Sequence, residues 1–531
     1  MKTGNLKLVF FILSLCFANI ACAALAPGEK PIPIAVGDIT IFIPVQLGFQ
    51  SELDLADLNG QDGFIVEGGV ETGTLSNVSG AGDVNNDNFG DIILGSQDAD
   101  PQYRTNAGQS YVIFGKSSFP AIVYLDDLNG TNGFKLNGGA TGDSSGVVSN
   151  AGDVNNDGYD DILIGAPRAD PPSGQDNGET YLVYGKASFS SSPIQLGSLD
   201  GSNGVTFTGE GVGSTNATDL SGYSVSSAGD MNNDNKSDIL IGAPCVTANN
   251  DSCAGAAYLI FGQSNFTATF SLSSLNGSNG FKMVGINDGN SGQAGARSGT
   301  SVSSAGDILN SGYDSIIIGS PQAPTNNTGK AQVIFGCTSC PASIDLTYIK
   351  AGTSPGFNLN GASAYQGAGR GVSDIGDING DNYDDMLIGT DTNTAYVVFG
   401  KGPAYTWRDL DLSSLNGSNG FKIVPGGNVL SSAGDVNGDG LDDFIIVGKD
   451  TNKTYVVFGR TSFPATLYLD TLNGTNGFVV TDSVDGNNTA AVSVSGAGDI
   501  NNDGIDDIIL ARTSSGPANQ AYVIFGRDTN N

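Results

Sequence analysis

The sequence predicts an all-β protein, a seven-bladed β-propeller with four strands in each blade and an N-terminal strand that closes the last blade. Three recurring features predict this fold: an acidic segment such as DVNNDGYDD, a YVIFG-like run, and a GF-type strand start. Each feature occurs seven times, and self-similarity of this kind indicates a repeat architecture. The acidic segments start at Asp83, Asp153, Asp230, Asp307, Asp377, Asp435 and Asp499.

Each repeat contains four stretches that are typical of β-strands. SVSSAGD and YVIFG alternate or are rich in β-branched residues, DILIGAP contains a short apolar run, and GFKLNGG supplies a fourth strand. Glycine, asparagine and serine separate these stretches, as they do in turns. Because no segment keeps a 3.6-residue apolar period over several turns, a helical solenoid is excluded.

The two ends of the chain predict how the ring closes. The last repeat stops at its third strand, AYVIFG, while an extra GF-type strand at residues 63–69 precedes the first acidic segment. We therefore expect this N-terminal strand to complete the last blade, which leaves no gap between the first and last blades. An open superhelix is the alternative arrangement of seven such sheets.

Composition excludes several classes of function. The formal net charge of the 531-residue chain is -33, so it offers no basic surface for nucleic acid. Histidine is absent, which excludes Ser-His-Asp and Cys-His catalysis and any histidine-ligated metal. The 78 glycines are in keeping with many turns and short strands.

The N-terminal segment is typical of a secretory signal. Lys2 and Lys7 precede an apolar run at residues 8–20, and Ala-Cys-Ala at residues 21–23 resembles a cleavage site. We interpret residues 1–23 as a signal peptide, 24–50 as a linker and 51–531 as the propeller, and expect a secreted, periplasmic or surface location. A membrane anchor or a lipidated Cys22 are alternatives.

Four cysteines remain after residue 23. In an oxidising compartment Cys245 is expected to pair with Cys253, and Cys337 with Cys340, each pair closing a short loop. The CTSC segment could instead be a redox motif, although no strand-to-helix context surrounds it.

The acidic segments predict calcium sites. We number the nine residues of each segment 1 to 9 and call the segments loops one to seven. Positions 1, 5 and 9 are Asp and position 3 is Asn in six loops, so side-chain oxygens and the carbonyl of position 7 can surround one Ca²⁺ ion. Position 6 is Gly or Asn throughout, which suits a tight coil with positive φ.

The predicted ligands differ in only one loop. Loop four, DILNSGYDS, keeps only Asp307 among the ligand carboxylates, so we expect about six Ca²⁺ ions and none in loop four. A plain solvated Asx turn and a Mg²⁺ site are the alternatives. The predicted ligands, at positions 1, 3, 5, 7 and 9 of the six loops, are Asp83, Asn85, Asp87, Phe89, Asp91, Asp153, Asn155, Asp157, Tyr159, Asp161, Asp230, Asn232, Asp234, Lys236, Asp238, Asp377, Asn379, Asp381, Tyr383, Asp385, Asp435, Asn437, Asp439, Leu441, Asp443, Asp499, Asn501, Asp503, Ile505 and Asp507.

The combination GDVNNDGYDDILIGAP…YLVYG resembles the FG-GAP repeat of integrin α-chain propellers, including their bacterial relatives. The resemblance runs from about Leu53 to the C terminus. It implies that the acidic loop joins the first two strands of a blade and binds calcium. It also implies that ligands meet the opposite face. Six intact loops exceed the family's usual number, and the later integrin domains have no counterpart here.

On that opposite face the connecting loops are long in the early blades and short in the later ones. We expect a ligand patch there that includes Tyr103, Arg104, Arg168 and Arg297, with solvated loops as the alternative. The predicted function is a secreted, non-enzymatic calcium-binding module for adhesion to a protein or glycan of unknown identity. A hydrolase-associated propeller related to glycosylphosphatidylinositol-specific phospholipase D, or a structural envelope protein, are the alternatives.

Overall fold

The computed structural model describes residues 34–36, 39–41 and 49–529, apart from 70–71, 172–174, 212–217, 249–250, 288–294, 324–325, 353–354, 403–404, 406, 452, 484–490 and 513–519. The predicted signal peptide, including Lys2, Lys7 and Cys22, lies outside the described residues. Within the expected linker, Ile34–Val36 pairs antiparallel with Ile39–Ile41.

Seven β-sheets form the seven blades, which confirms the predicted fold class. The first strands lie innermost and contact one another around the axis. First strands run over Asn77–Gly82, Val147–Gly152, Ser224–Gly229, Val302–Gly306, Val372–Asp374, Leu430–Gly434 and Ala491–Gly498. Second strands run over Asp91–Ser96, Asp161–Ala166, Asp238–Ala243, Ser315–Ser320, Met386–Gly389, Asp443–Gly448 and Asp507–Arg512. Third strands run over Gln109–Ile113, Glu179–Val183, Ala256–Ile260, Lys330–Ile334, Ala395–Val398, Lys453–Val457 and Gln520–Ile524.

The outer part of each blade contains one strand more than the four that the sequence predicts. A short fifth strand pairs in parallel with the fourth, and it comes from the connection between the third and fourth strands of the next blade. Fourth strands of blades one to seven run over Gly133–Asn137, Gly204–Thr208, Gly280–Val284, Gly356–Asn360, Gly420–Val424, Gly477–Thr481 and Gly63–Glu67. Fifth strands run over Ile194–Gln195, Thr269–Ser271, Ser343–Asp345, Leu410–Asp411, Thr466–Tyr468, Glu52–Asp54 and Ile122–Tyr124.

The N-terminal segment closes the ring at two places. Gly63–Glu67 pairs antiparallel with Gln520–Ile524 and completes blade seven, as the sequence predicts. Glu52–Asp54 also pairs in parallel with Gly477–Thr481 in blade six. The first residues of the propeller therefore join its last two blades, and the edges of both sheets are covered.

The hydrophobic core lies between neighbouring blades rather than inside one sheet. Second strands are buried along their whole length in all seven blades, because each sheet has a neighbour on both faces. The phenylalanine of the GF-type start stacks on an aromatic ring from the third-to-fourth connection of the next blade. Phe64 and Phe119 stack with ring centroids 4.3 Å apart, and Phe134 and Phe189 with centroids 3.9 Å apart.

The helices of the described chain are 3₁₀ turns of three residues. One follows each fifth strand, and another lies between the second and third strands of blade one. None is long and apolar enough to span a bilayer. These helices run over Leu55–Asp57, Pro101–Tyr103, Leu125–Asp127, Leu196–Ser198, Leu272–Ser274, Leu346–Tyr348, Leu412–Ser414 and Leu469–Thr471.

Ring closure by two N-terminal strands can be tested by truncation. A chain that begins after residue 68 lacks both closing strands, so blades six and seven expose unpaired edges. We expect a lower melting temperature and self-association, measured by calorimetry and light scattering. A chain that begins after residue 48 keeps both strands and serves as the control. Equal melting temperatures of the two truncated chains would contradict this account of closure.

Candidate metal centres

The acidic loops lie together at one end of the propeller. Each loop connects the first strand of a blade to the second, and strand direction alternates within a blade. All seven first-to-second loops therefore lie at the same end, which we call the acidic face. The second-to-third and fourth-to-first connections lie at the other end, which we call the opposite face.

The carboxylate at position 1 closes each loop. In loop one, Asp83 accepts hydrogen bonds from the backbone amides of Asp87 at 3.0 Å and Asn88 at 2.8 Å. The same two bonds occur in the other six loops. Loop four is included, where Asp307 accepts from Ser311 and Gly312. The hairpin tip thus forms from backbone and side-chain hydrogen bonds even where the other ligand positions have changed.

Two positions of each loop have a left-handed backbone. Position 6 has positive φ, for example 69° at Asn88 and 90° at Gly158, as the sequence predicts. Position 4 has positive φ as well, for example 58° at Asn86 and 74° at Gly380. Sequence reasoning missed position 4, although it is Asn or Gly in all seven loops and carried the same signal.

The carboxylate at position 9 is the most buried group of the loop. Asp91 accepts from the amide of Val84 at 3.0 Å and from the amide of Gly115 at 2.8 Å. It therefore ties the start of the second strand to the loop and to the end of the third strand. Burial raises the pKa of Asp91 to about 8, and the nearby carboxylates of Asp87 and Asp83 add to the rise. A cation beside this group would favour its charged form.

The asparagine at position 3 has a side-chain oxygen that fits a metal ion. In five of the six intact loops its Oδ1 atom is buried and accepts no hydrogen bond within the described structure. Buried carbonyl oxygens normally have a partner, and a hard cation is one such partner. The five asparagines are Asn85, Asn155, Asn232, Asn437 and Asn501.

Loop five departs from this pattern. The amide of Asn379 donates to Asp385 at 2.9 Å, and Lys401 forms an ion pair of 3.3 Å with Asp381. In loop four, Ser315 replaces the carboxylate at position 9, and its buried hydroxyl has no partner in the described chain. Loop five is thus the intact loop whose position 3 asparagine is not among the buried unpartnered oxygens, while the lysine pair at position 5 also occurs in loop three, between Lys236 and Asp234 at 3.5 Å.

The donor set fits a calcium ion, but the carboxylates are not already arranged around one point. In the described part of the chain, no group of three or more Asp, Glu or Cys side chains converges as a coordination site. The reason is visible in loop one, where Asp83 and Asp87 accept amides of the loop itself. Metal binding would require side-chain adjustments within a hairpin that is already folded.

Position 8 links neighbouring blades, a role that sequence reasoning missed. The carboxylate of Asp160 in loop two accepts from the backbone amide of Asp83 in loop one at 2.8 Å. The amide of Asp160 donates back to the carbonyl oxygen of Asp83 at 3.2 Å. Equivalent carboxylate bonds join four other pairs of blades. They are accepted by Asp314, Asp384, Asp442 and Asp506.

The glycine before position 1 leaves room for this contact. Gly82 has φ +71°, and a Cβ atom there would lie 2.1 Å from an oxygen of Asp160. Between blades seven and one, position 8 is Gly90 instead of Asp. There Gly498 has φ +68°, and a Cβ atom would meet nothing within 4 Å. The two glycines therefore share a backbone conformation and differ in their neighbours.

The four residues of the predicted ligand patch on the opposite face have different surroundings. Tyr103 is 95% exposed. Arg104 is held between strands of blade one, where it donates to the carbonyl of Gly139 at 2.9 Å and to Gln195 at 2.8 Å. Arg168 is exposed beside a cavity, whereas Arg297 is half-buried near two thiols.

The cysteines also divide into two cases. Cys337 and Cys340 form a disulfide, as the sequence predicts. Cys245 and Cys253 are neighbours but remain free thiols in this structure, so this predicted bond is not formed. A hydrogen bond between them lowers the pKa of Cys253, and the positive charge of Arg297 lowers it further.

Comparison with known proteins agrees with the repeat pattern. The family model described as FG-GAP repeat matches residues 76–113 and 145–183, which span the first three strands of blades one and two. Integrin alpha-6 of Gallus gallus is 30% identical over 162 residues, which cover 30% of this chain and 12% of the integrin chain. A solved structure described as the crystal structure of BBS1N in complex with ARL6DN, soaked with mercury, aligns with a TM-score of 0.38 and 8% identity. That alignment covers 87% of this chain and 95% of the other.

The contact between position 8 and the preceding glycine predicts a matched pair of variants. Gly82→Ala and Gly498→Ala both place a side chain at positive φ, which costs about 1–2 kcal/mol. Gly82→Ala also displaces Asp160 from the amide of Asp83, so we expect a further loss of about 1–3 kcal/mol in the free energy of unfolding.

Denaturant unfolding in calcium-containing buffer measures both losses. The second substitution Asp160→Gly reproduces the arrangement between blades seven and one, so it should restore part of the stability lost in Gly82→Ala. Equal destabilisation by the two alanine variants, with no effect of the second substitution, would contradict the proposed steric cause.

Proposed function

Because the chain is an FG-GAP repeat protein with a seven-bladed propeller distantly similar to integrin α-chains, we propose that it is a calcium-stabilised binding module. Calcium occupies the intact loops of the acidic face, and the opposite face presents its loops to a ligand. The buried, unpartnered Asn Oδ1 atoms at position 3 of five loops are the observation that supports the metal.

The proposed ligands of one loop are the side chains at positions 1, 3, 5 and 9 and the carbonyl oxygen of position 7. In loop one these are Asp83, Asn85, Asp87, Phe89 and Asp91. All are oxygen donors, and calcium accepts six to eight such donors in flexible geometry. Magnesium holds a stricter octahedron and keeps more water, so it fits a loop of mixed carboxylate, amide and carbonyl oxygens less well.

The chemistry that the ion supplies is charge neutralisation. Three carboxylates within one hairpin tip repel one another by roughly a few kcal/mol at the effective dielectric of a protein surface. Because the loop is assembled only in the folded blade, binding free energy adds to folding stability. At a calcium concentration about 100 times Kd, one site would contribute about 2.7 kcal/mol.

Binding of a partner is proposed for the opposite face, where long loops of blades one to four project from a rigid ring. Loops carried by a rigid scaffold are common binding elements. We propose a secreted or surface-exposed protein without catalytic activity, which acts in adhesion to a glycan or another protein. The loop aspartates support a non-catalytic role, because they accept backbone amides and hold the hairpins in shape.

Metal stoichiometry tests the proposal. We expect about six bound Ca²⁺ ions per chain by elemental analysis after dialysis against calcium, and a lower melting temperature after chelation. Loops three and five should release their ions first during chelation, because Lys236 competes for Asp234 and Lys401 for Asp381.

Position 5 offers a matched pair of variants. Asp87→Ala removes a proposed ligand and should lower the stoichiometry by about one ion. Ser311→Ala, at the same position of loop four, should leave it unchanged. Near-zero stoichiometry, or an equal effect of the two substitutions, would overturn the proposal.

A further inference from the structure

A cavity of about 600 Å³ opens on the opposite face, between blades one, two and three. This volume falls within the range of about 300–1,000 Å³ that is typical of small-ligand sites. Its walls come from three blades, since the lining residues belong to connections of blades one, two and three that lie next to one another in the folded ring. They include Gln97, Asp98, Asn106, Ser144, Arg168 and Tyr223.

Polar groups of the wall are held by hydrogen bonds to the scaffold. Gln97 donates through Nε2 to the carbonyl of Ser144 at 3.2 Å, which links blades one and two. Asp98 accepts from the amide of Thr74 at 2.6 Å, from its hydroxyl at 2.7 Å and from the hydroxyl of Ser96 at 3.0 Å. The wall is therefore ordered before any ligand arrives.

The charges of the wall balance. Burial raises the pKa of Asp98, but the hydrogen bonds from Thr74 and Ser96 outweigh it and hold the pKa below its ordinary value. Asp98 is thus ionised at neutral pH. The guanidinium of Arg168 is exposed and forms no ion pair in the part of the chain that the structure describes. One negative and one positive group leave the lining without net charge.

Three lining residues keep side chains in a strained backbone conformation. Asn106, Ser144 and Leu220 have φ of +50°, +52° and +57°. The amide of Ser144 donates to the carbonyl of Asn106 at 3.0 Å, and the amide of Gly367 donates to the carbonyl of Asn327 in the same way at 2.9 Å. The same conformation occurs at Arg297 (φ +55°) and Asn327 (φ +50°), outside the cavity lining, so it belongs to the repeat and is not specific to the cavity.

We propose that this cavity binds a short neutral oligosaccharide, an inference that rests on the proposed binding function and names the ligand class. Carboxamide, hydroxyl and guanidinium groups match the alternating donors and acceptors of sugar hydroxyls. Tyr223, which is 46% exposed, offers a flat ring on which a sugar face can pack. An apolar ligand would leave the polar wall unpaired, and a polyanion would approach a chain of net charge -33.

Isothermal titration calorimetry of the full chain in calcium-saturated buffer tests the proposal. The probes are maltotriose, cellotriose, mannotriose and galactotriose, with trigalacturonate as the acidic comparison. We expect saturable binding of at least one neutral trisaccharide. Tyr223→Ala should weaken that binding roughly tenfold or more without changing the melting temperature. Tyr468→Ala is the matched control, because Tyr468 is 54% exposed on the fifth strand of blade five, outside the cavity lining.

Three outcomes would overturn the inference. The first is that no neutral trisaccharide binds, and the second is that only trigalacturonate binds. The third is that Tyr223→Ala binds the trisaccharide as tightly as the control Tyr468→Ala and the unsubstituted chain do. Gln97→Ala provides a second variant on another blade and should also weaken binding. Calcium stoichiometry of the same samples distinguishes the two proposals. If it is about six while no sugar binds, the metal-stabilised module stands and the saccharide site fails.

Discussion

Hydrogen bonds from backbone amides to aspartate carboxylates hold the acidic face of this propeller together. One carboxylate at position 1 satisfies two amides of its own hairpin, and the carboxylate at position 9 satisfies two more from the loop and the third strand. These amides lie in tight coils outside the β-ladder, so they need another hydrogen-bond acceptor. The aspartate carboxylates supply it. The cost is a concentration of negative charge, and this charge makes a divalent ion a natural complement.

The same interaction extends from hairpin to ring. Asp160 accepts an amide of the preceding blade, and four equivalent aspartates repeat the contact around the propeller. Neighbouring blades are thus joined in three ways. Polar contacts join them at the acidic face, apolar side chains pack between the faces of adjacent sheets, and the parallel fifth strand joins them at the outer rim. The opposite face carries loops of unequal length. These differences are in keeping with the proposed roles of the two faces, metal binding at the acidic face and ligand binding at the opposite face.

Much of this organisation could be predicted from the sequence because the repeat is long and carries three independent markers. The number of blades, the acidic loops and ring closure by residues 63–69 all followed from counting the copies of these markers along the chain. The fifth strand was missed because two or three residues before a 3₁₀ turn give no periodic signal. The role of Asp160 was missed because its partner, Asp83, lies 77 residues earlier, and only the closed ring brings them together. Tyr223 was missed for the same reason, since its cavity takes walls from three blades.

Loop four separates folding of the hairpin from the proposed metal site. It keeps the position 1 carboxylate, both amide bonds and the positive φ at positions 4 and 6, while Leu309, Ser311 and Ser315 replace the other side-chain ligands. The loop shape can therefore form with one aspartate and two flexible positions. In the intact loops the carboxylates at positions 5 and 9 accept further amides, whereas the Oδ1 atom of the position 3 asparagine has no such role in five of them. These buried Asn oxygens support the proposed cation sites, because the residues that the structure describes offer them no hydrogen-bond donor.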